Sequence, residues 1–198
     1  NNGVLPIRNA SNIAVIGPLA KNSWDLMGNW KGHTEPEEMD VFLDGIRREF
    51  PSAEIKYELG CNVNGEGDFS AALALAERSD VVIFCLGEKL NWSGENTSRS
   101  SIALPGGQEK LLEEIKATGK PVVVTLTNGR PLELNRIDAL ADAVLETWQP
   151  GVNGASALGG ILSGRINPSG KLAITFPWST GQIPIYYNRH KSARRGTQ

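Results

Sequence analysis

In the stretch DVVIFCLG, residues 80–87, an unbroken apolar run follows Asp80 and ends at a glycine. A run of this length without polar alternation is typical of a strand buried on both faces of a sheet. A second run, AEIKYEL (residues 53–59), alternates between polar and apolar side chains, which predicts an edge strand. The other three runs share the character of the first and are bounded by Gly, Pro or Asn: NIAVIGPLA (12–20), PVVVTLTN (121–128) and ADAVLETW (141–148).

Amphipathic stretches of helical length separate these runs. In one of them Leu111, Leu112 and Ile115 fall on a single face. Strands that alternate with helices predict an α/β fold, a three-layer sandwich with a mostly parallel sheet of five or six strands flanked by helices. The sixth strand would be KLAITFP (171–177), after the turn signal NPSGK. The predicted helices are MDVFLDGIRREF (39–50), DFSAALALAERS (68–79), GQEKLLEEIKAT (107–118) and GASALGGILSG (154–164).

Composition excludes several classes of function. The 198 residues are 40% hydrophobic and carry a formal charge of -2, so the basic excess needed to bind nucleic acid is missing. No apolar stretch approaches the roughly 20 residues that span a membrane. Two Cys and two His without close spacing predict neither a metal site nor a disulfide framework, and no cofactor is expected. Cys85, inside a strand run, is expected to be a buried free thiol.

Two long loops point to a binding site. Ligands of open parallel sheets bind beyond the carboxyl ends of the strands. The loop of residues 17–38 leaves the first strand and is longer than a usual strand-to-helix turn. The loop that follows residue 87 leaves the same edge of the sheet. Between them the two loops carry Trp24, Trp30, His33, Glu88, Trp92, Glu95 and Arg99.

Carboxylic acids beside exposed aromatic rings are typical of sugar chemistry. A tryptophan ring stacks on the apolar face of a pyranose, and a carboxylic acid with a raised pKa can protonate a glycosidic oxygen. Glu95 lies between Gly94 and Asn96, so its side chain is free to project, although a solvated loop glutamate is the simpler alternative. Glu88 is expected to be held by backbone amides or a cation in a supporting role. Arg99 is expected to be a surface charge or an ion-pair partner of one of the two acids.

A glycine-rich segment supports a different reading. GVNGASALGG, residues 151–160, opens a helix after a strand, as a dinucleotide-binding turn does. Its glycine spacing and its late position in the chain depart from that motif. A nucleotide-binding doubly wound domain is therefore the less favoured alternative, and close packing explains the small residues better.

Longer motifs identify a family. The segments 4–20, 86–134, 141–177 and 181–188, with TNGRPL (127–132) and NPSGKL (167–172) as their most specific parts, together resemble the second domain of glycoside hydrolase family 3. The likeness is greatest to bacterial periplasmic β-glucosidases. It covers nearly the whole chain in order.

The resemblance implies a domain arrangement. Residues 1–11 would be a linker from an N-terminal (β/α)8 barrel that supplies an aspartate nucleophile. Residues 12–187 would be the α/β sandwich, with flavodoxin-like layering, and residues 188–198 a linker toward a further C-terminal region. The chain is then expected to be a fragment, inactive by itself, of a protein exported to the periplasm or the cell surface. Assembly into a homodimer is left open by the sequence.

The resemblance also implies roles for residues. SGENTSR (93–99) matches the loop of many members that carries the acid/base, so Glu95 is the expected general acid/base of a retaining β-glycosidase of the β-glucosidase type, acting on β-linked oligosaccharides or aryl glucosides. Ser98 stands where many members have an aspartate. Trp30, in MGNW, is the first candidate to stack on the leaving-group sugar and Trp92 the second, with packing against the barrel as the alternative for both. A non-catalytic sugar-binding or scaffold domain is the alternative function.

Overall fold

The computed structural model describes residues 1–188. Its five strands form one sheet in the order β2-β1-β3-β4-β5, and every pairing is parallel. The order reverses between β1 and β3, so the chain winds outward in both directions from the centre. The strands are β1 (Asn12–Ile16), β2 (Glu54–Glu58), β3 (Val81–Gly87), β4 (Val122–Thr127) and β5 (Ala143–Glu146).

Helices cover both faces of the sheet. One face packs against α2 and α6 around Phe42 and Leu158, and the other packs against α3, α4 and α5 around Leu111 and Ile137. Alternate residues of β1 and β3 enter the two cores, as the period of a strand requires. The predicted three-layer α/β sandwich is therefore confirmed. The helices are α1 (Ser23–Met27), α2 (Phe42–Glu49), α3 (Ser70–Glu77), α4 (Gly106–Ala117), α5 (Asn135–Leu140) and α6 (Gly154–Ser163).

The edges of the sheet differ in part from the prediction. β2 is an edge strand, as its alternation predicts. β5 is the opposite edge and is only partly buried from Val144 onward, so the prediction that it is buried on both faces was wrong. Residues 171–177 form no strand, and the sheet of the described residues has five strands. Leu172 and Ile174 of that segment are 57% and 50% exposed.

The residues before β1 pack on the sandwich. Ile7 is buried, and its N–H donates to the carbonyl of Leu162 at 2.8 Å. The N–H of Asn2 donates to the carbonyl of Asp142 at 2.7 Å. The linker role of residues 1–11 stays a prediction beside this packing. The second predicted linker, residues 188–198, lies outside the described residues except for Asn188.

Glycines bring α2 and α6 into backbone contact. A Cβ at Gly45 would overlap the carbonyl of Ala155, and a Cβ at Gly159 would overlap the carbonyl of Gly45. The small residues of the segment 151–160 thus allow one helix to lie directly on another. Within residues 1–188, no helix combines the length and the apolar character that crossing a membrane requires.

Candidate active site

Two loops meet at the carboxyl edge of the sheet, above the neighbouring strands β1 and β3. Asp25 joins them. Its backbone N–H donates to Oδ1 of Asn22, the N-cap residue of α1, at 2.9 Å, while its own Oδ1 accepts the N–H of Leu90 at 2.8 Å. Asp25 is 6% exposed, and an asparagine N-cap of this kind satisfies an otherwise unpaired amide at a helix start. The loop of residues 17–38 is therefore held against the loop that follows β3.

Asn29 makes the second contact between the loops. Its side-chain amide donates to the backbone carbonyl of Ser93. The next residue, Gly94, has a φ of +109°, and a Cβ there would lie 3.2 Å from Asn29 Cγ and closer still to its amide nitrogen. Both the positive φ and the close approach favour glycine at this position.

Glu88 is buried in an ion pair at the start of the second loop. It is 2% exposed, and its Oε2 accepts a hydrogen bond from Arg130 Nε at 3.0 Å. Burial raises the pKa of Glu88 above its ordinary value, although Arg130 and the nearby Arg99 lower it in part. Glu88 therefore pairs with a cation, as expected from the sequence, and that cation comes from the loop after β4.

Arg99 lies over the ring of Trp92. Its guanidinium carbon is 4.3 Å from the ring centroid, and Lys89 Nζ is 5.5 Å from the same centroid. Both distances are within the range of a cation–π interaction. Trp92 therefore contacts cations from its own loop. Arg99 makes no salt bridge within residues 1–188.

Glu95 lies at the tip of the second loop. Its side chain is exposed and makes no hydrogen bond within the described part of the chain. The turn around it is closed by Thr97, whose Oγ1 donates to the carbonyl of Gly94 at 2.7 Å. Asn96 has a φ of +58°, a conformation that asparagine tolerates better than most residues. The carboxylate therefore projects from a defined turn and is accessible to groups outside this domain.

Trp30 also projects from the edge of the sheet. It is 77% exposed, the highest exposure of any tryptophan in the described residues. It directly follows Asn29, whose side chain contacts Ser93 and Gly94. The structure therefore brings the loop segments of Trp30 and Glu95 together, whereas Glu88 lies below them in the core.

Several polar residues of this edge were not identified from the sequence. Gln149 Nε2 lies 3.4 Å from Ser93 Oγ, and Asn128 Nδ2 donates to the carbonyl of Arg130 at 2.7 Å. Glu146, at the end of β5, accepts the N–H of Trp148 at 2.8 Å, and burial raises its pKa to about 7. The motif TNGRPL, which follows a strand next to β3, was the available signal for Asn128 and Arg130.

The donor atoms at this edge are carboxylates, amides and a guanidinium. Among residues 1–188, no group of three or more His, Cys, Asp and Glu side chains is arranged to hold a metal ion. What the edge offers is an accessible carboxyl group, an exposed indole and a braced loop between them.

Comparison with known proteins identifies the family of the chain. The family model "Glycosyl hydrolase family 3 C-terminal domain" matches residues 1–198. The chain belongs to glycoside hydrolase family 3. A periplasmic β-glucosidase of Salmonella typhimurium is 39% identical over 96% of the chain, and a β-xylosidase of Formosa agariphila is 36% identical over 94%.

Solved structures of similar proteins share the fold. The β-glucosidase of Listeria innocua in complex with isofagomine superposes with a TM-score of 0.88, at 39% identity, over 98% of the chain. The chain spans 28% and 27% of the length of the two curated relatives and 27% of the Listeria chain. The resemblance to the family 3 C-terminal domain is thus confirmed.

Proposed function

We propose that this chain is the C-terminal domain of a retaining β-glycosidase of the β-glucosidase type, and that Glu95 is the general acid/base. The observation that carries the proposal is the exposed Glu95 carboxylate at the tip of a braced loop, at the carboxyl edge of the sheet in a family 3 C-terminal domain. The nucleophile is proposed to be an aspartate of a (β/α)8 barrel in the longer protein.

The chemistry divides between two carboxyl groups. In the first step, Glu95 gives its proton to the glycosidic oxygen while the bond from that oxygen to the anomeric carbon breaks and the nucleophilic carboxylate bonds to the same carbon. In the second step, the Glu95 carboxylate takes a proton from the water that displaces the nucleophile. Retaining enzymes hold the two carboxyl groups about 5–5.5 Å apart.

The exposure of Glu95 is consistent with two carboxyl groups that belong to two different domains. An acid that serves a sugar bound to another domain has to project beyond its own domain. A second domain over this edge excludes water from the reaction and brings the nucleophile close to the Glu95 carboxyl. Trp30, on the neighbouring loop, is proposed to stack on the sugar of the leaving group.

The names of the relatives bear on the sugar and the location. They include β-glucosidases and β-xylosidases, and one at 39% identity is a periplasmic β-glucosidase. We therefore propose a β-linked glucoside as substrate and a periplasmic or extracellular location. Comparing kcat/KM for an aryl β-glucoside and the matching aryl β-xyloside tests the choice of sugar, and a preference for the xyloside would contradict it.

The Glu95→Gln variant of the full-length protein tests the acid/base role. General acid catalysis contributes about 10²- to 10⁴-fold, and a good leaving group needs little of it. We expect kcat/KM to fall by about that factor for phenyl β-glucoside and by less than about tenfold for dinitrophenyl β-glucoside. Glu37→Gln, at an exposed glutamate outside the site, is the control. Equal losses on both substrates would show that Glu95 is not the acid.

A further inference from the structure

The segment that carries Glu95 is held unevenly along its length. Its first part is fixed by the Glu88 ion pair with Arg130 and by the hydrogen bond from the N–H of Leu90 to Asp25. On the far side, the N–H of Ile102 donates to Thr180 Oγ1 at 3.3 Å. Between these points the loop extends toward solvent, and its tip contains Glu95.

Ser93 is the last residue before the tip that is hydrogen-bonded to other elements: Asn29 donates to its carbonyl, and Gln149 donates at 3.4 Å to its hydroxyl. Among the described residues, Ser93, whose carbonyl accepts the hydrogen bond from Asn29, lies two positions before Glu95. Beyond that point, the tip is held by its own turn, from Thr97 to Gly94. The direction in which Glu95 leaves the domain is therefore set where Asn29 meets Ser93 and Gly94.

The contact at Gly94 adds a steric component to the hydrogen bond. The Asn29 side chain occupies the space that a Cβ at Gly94 would take. The peptide after Ser93 is thus confined both by the donated hydrogen bond and by direct packing. Asn29 is only partly buried, so it lies at the border between the core and the exposed tip.

Asn29 is also the residue before Trp30. A single side chain consequently links the backbone that carries Trp30 to the backbone that carries Glu95. If the two loops moved independently, the distance between the indole and the carboxylate would vary. The hydrogen bond of the Asn29 amide holds the two backbone segments together and so limits that variation.

We propose that Asn29 is a positioning residue, which orients the Glu95 loop relative to the Trp30 loop so that the acid meets the glycosidic oxygen. This inference rests on the proposed function of Glu95. Asn29 does not touch the reacting atoms and acts through the loop. Misplacement of a catalytic group by about 1 Å can cost up to about 100-fold in rate, so the effect of losing Asn29 is measurable.

The test uses the full-length protein and the variant Asn29→Leu, which keeps the side-chain size and removes the donor. We expect kcat/KM for phenyl β-glucoside to fall on the order of 10- to 100-fold and kcat/KM for dinitrophenyl β-glucoside to fall less than about threefold. A general loss of structure would lower both equally. Asn91→Leu is the matched control, since Asn91 is exposed on the same loop and makes no side-chain hydrogen bond in the described residues.

A double variant shows whether Asn29 acts through Glu95. Once the acid is removed in Glu95→Gln, adding Asn29→Leu is expected to change kcat/KM for phenyl β-glucoside by less than about twofold, because coupled residues are not additive. A full further loss in the double variant would overturn the proposal. Asn29→Ala, which removes the donor without adding apolar bulk, is the second variant if Asn29→Leu folds poorly.

The outcomes separate the two proposals. The loss of kcat/KM in Glu95→Gln can depend on the leaving group while Asn29→Leu keeps the same kcat/KM values as Asn91→Leu. In that case the positioning role is refuted and the acid/base role stands. If Asn29→Leu lowers kcat/KM equally for both substrates, the role of Asn29 is structural and the inference is again refuted. If Glu95→Gln itself shows no dependence on the leaving group, the acid/base role fails and the positioning role fails with it.

Discussion

Glu146 is expected to make the stability of this domain fall as the pH rises. The carboxyl lies at the end of β5, and burial raises its pKa from the ordinary 4.5 to about 7. One of its oxygens is buried without a hydrogen-bond partner in the described residues. Because the folded pKa is above the unfolded value, the folded state binds the proton more tightly. The stabilisation is complete below about pH 4.5 and is lost as the pH rises through about 7.

The size of the effect follows from the shift. A difference of about 2.5 pKa units corresponds to about 3 kcal/mol of unfolding free energy, at about 1.4 kcal/mol per unit. Most of this stabilisation is lost between pH 5 and pH 8. Glu146→Gln removes the titration and keeps an acceptor for the N–H of Trp148. The Asn128 side chain neighbours this carboxyl and has an unpartnered Oδ1, so the glutamine N–H has an acceptor at hand.

Urea unfolding of the 198-residue chain, followed by tryptophan fluorescence, measures the difference. At pH 8 the Glu146→Gln variant is expected to be more stable than the parent by up to about 3 kcal/mol, a shift of roughly 1 M urea in the midpoint. At pH 5 the two are expected to agree within about 1 kcal/mol. Glu37→Gln, at an exposed site, is the control and should follow the parent at both pH values. A parent and a Glu146→Gln variant with the same pH dependence would refute the reasoning.

Two further predictions concern the ion pair and the isolated domain. Arg130→Leu is expected to destabilise the chain by about 3–5 kcal/mol in urea unfolding, because it leaves Glu88 buried and unpaired, whereas adding Glu88→Leu should recover much of the loss. Arg48→Leu, at an exposed pair with Asp40, should cost no more than about 1 kcal/mol, and a similar cost at both sites would contradict this account. The purified chain is also expected to fold and yet not to hydrolyse aryl β-glucosides, since we propose that the nucleophile lies outside it, and detectable turnover would disprove that.

The strands of the fold could be predicted because a buried strand has a distinctly apolar local composition. The segments 81–87 and 122–127 contain no charged residue, and the structure buries every residue of both. The position of a strand within the sheet is not local. β5 is as apolar as the others and is an edge strand, and residues 171–177 carry a strand-like pattern without a pairing partner in the described residues.

The residues that project from the candidate site could be predicted from the sequence, but the contacts that hold their loops in place could not. Glu95 and Trp30 stand out because of their residue types and their loops. The partner of Glu88 lies 42 positions along the chain and is close only because β4 is adjacent to β3. The bracing by Asn29 likewise depends on two loops that are 64 positions apart meeting in space. Neither contact leaves a periodic or compositional trace in the sequence.

The backbone contact of α2 with α6 has a consequence for how proteins with this domain can vary. Where glycine meets carbonyl, the separation of the helices is fixed by main-chain atoms and does not depend on which rotamers the neighbours adopt. Since α2 begins where the Trp30 loop ends, that loop starts and finishes on parts of the domain that substitutions elsewhere scarcely displace. Insertions and deletions in its exposed portion are then expected to leave the register of the sheet beneath unchanged.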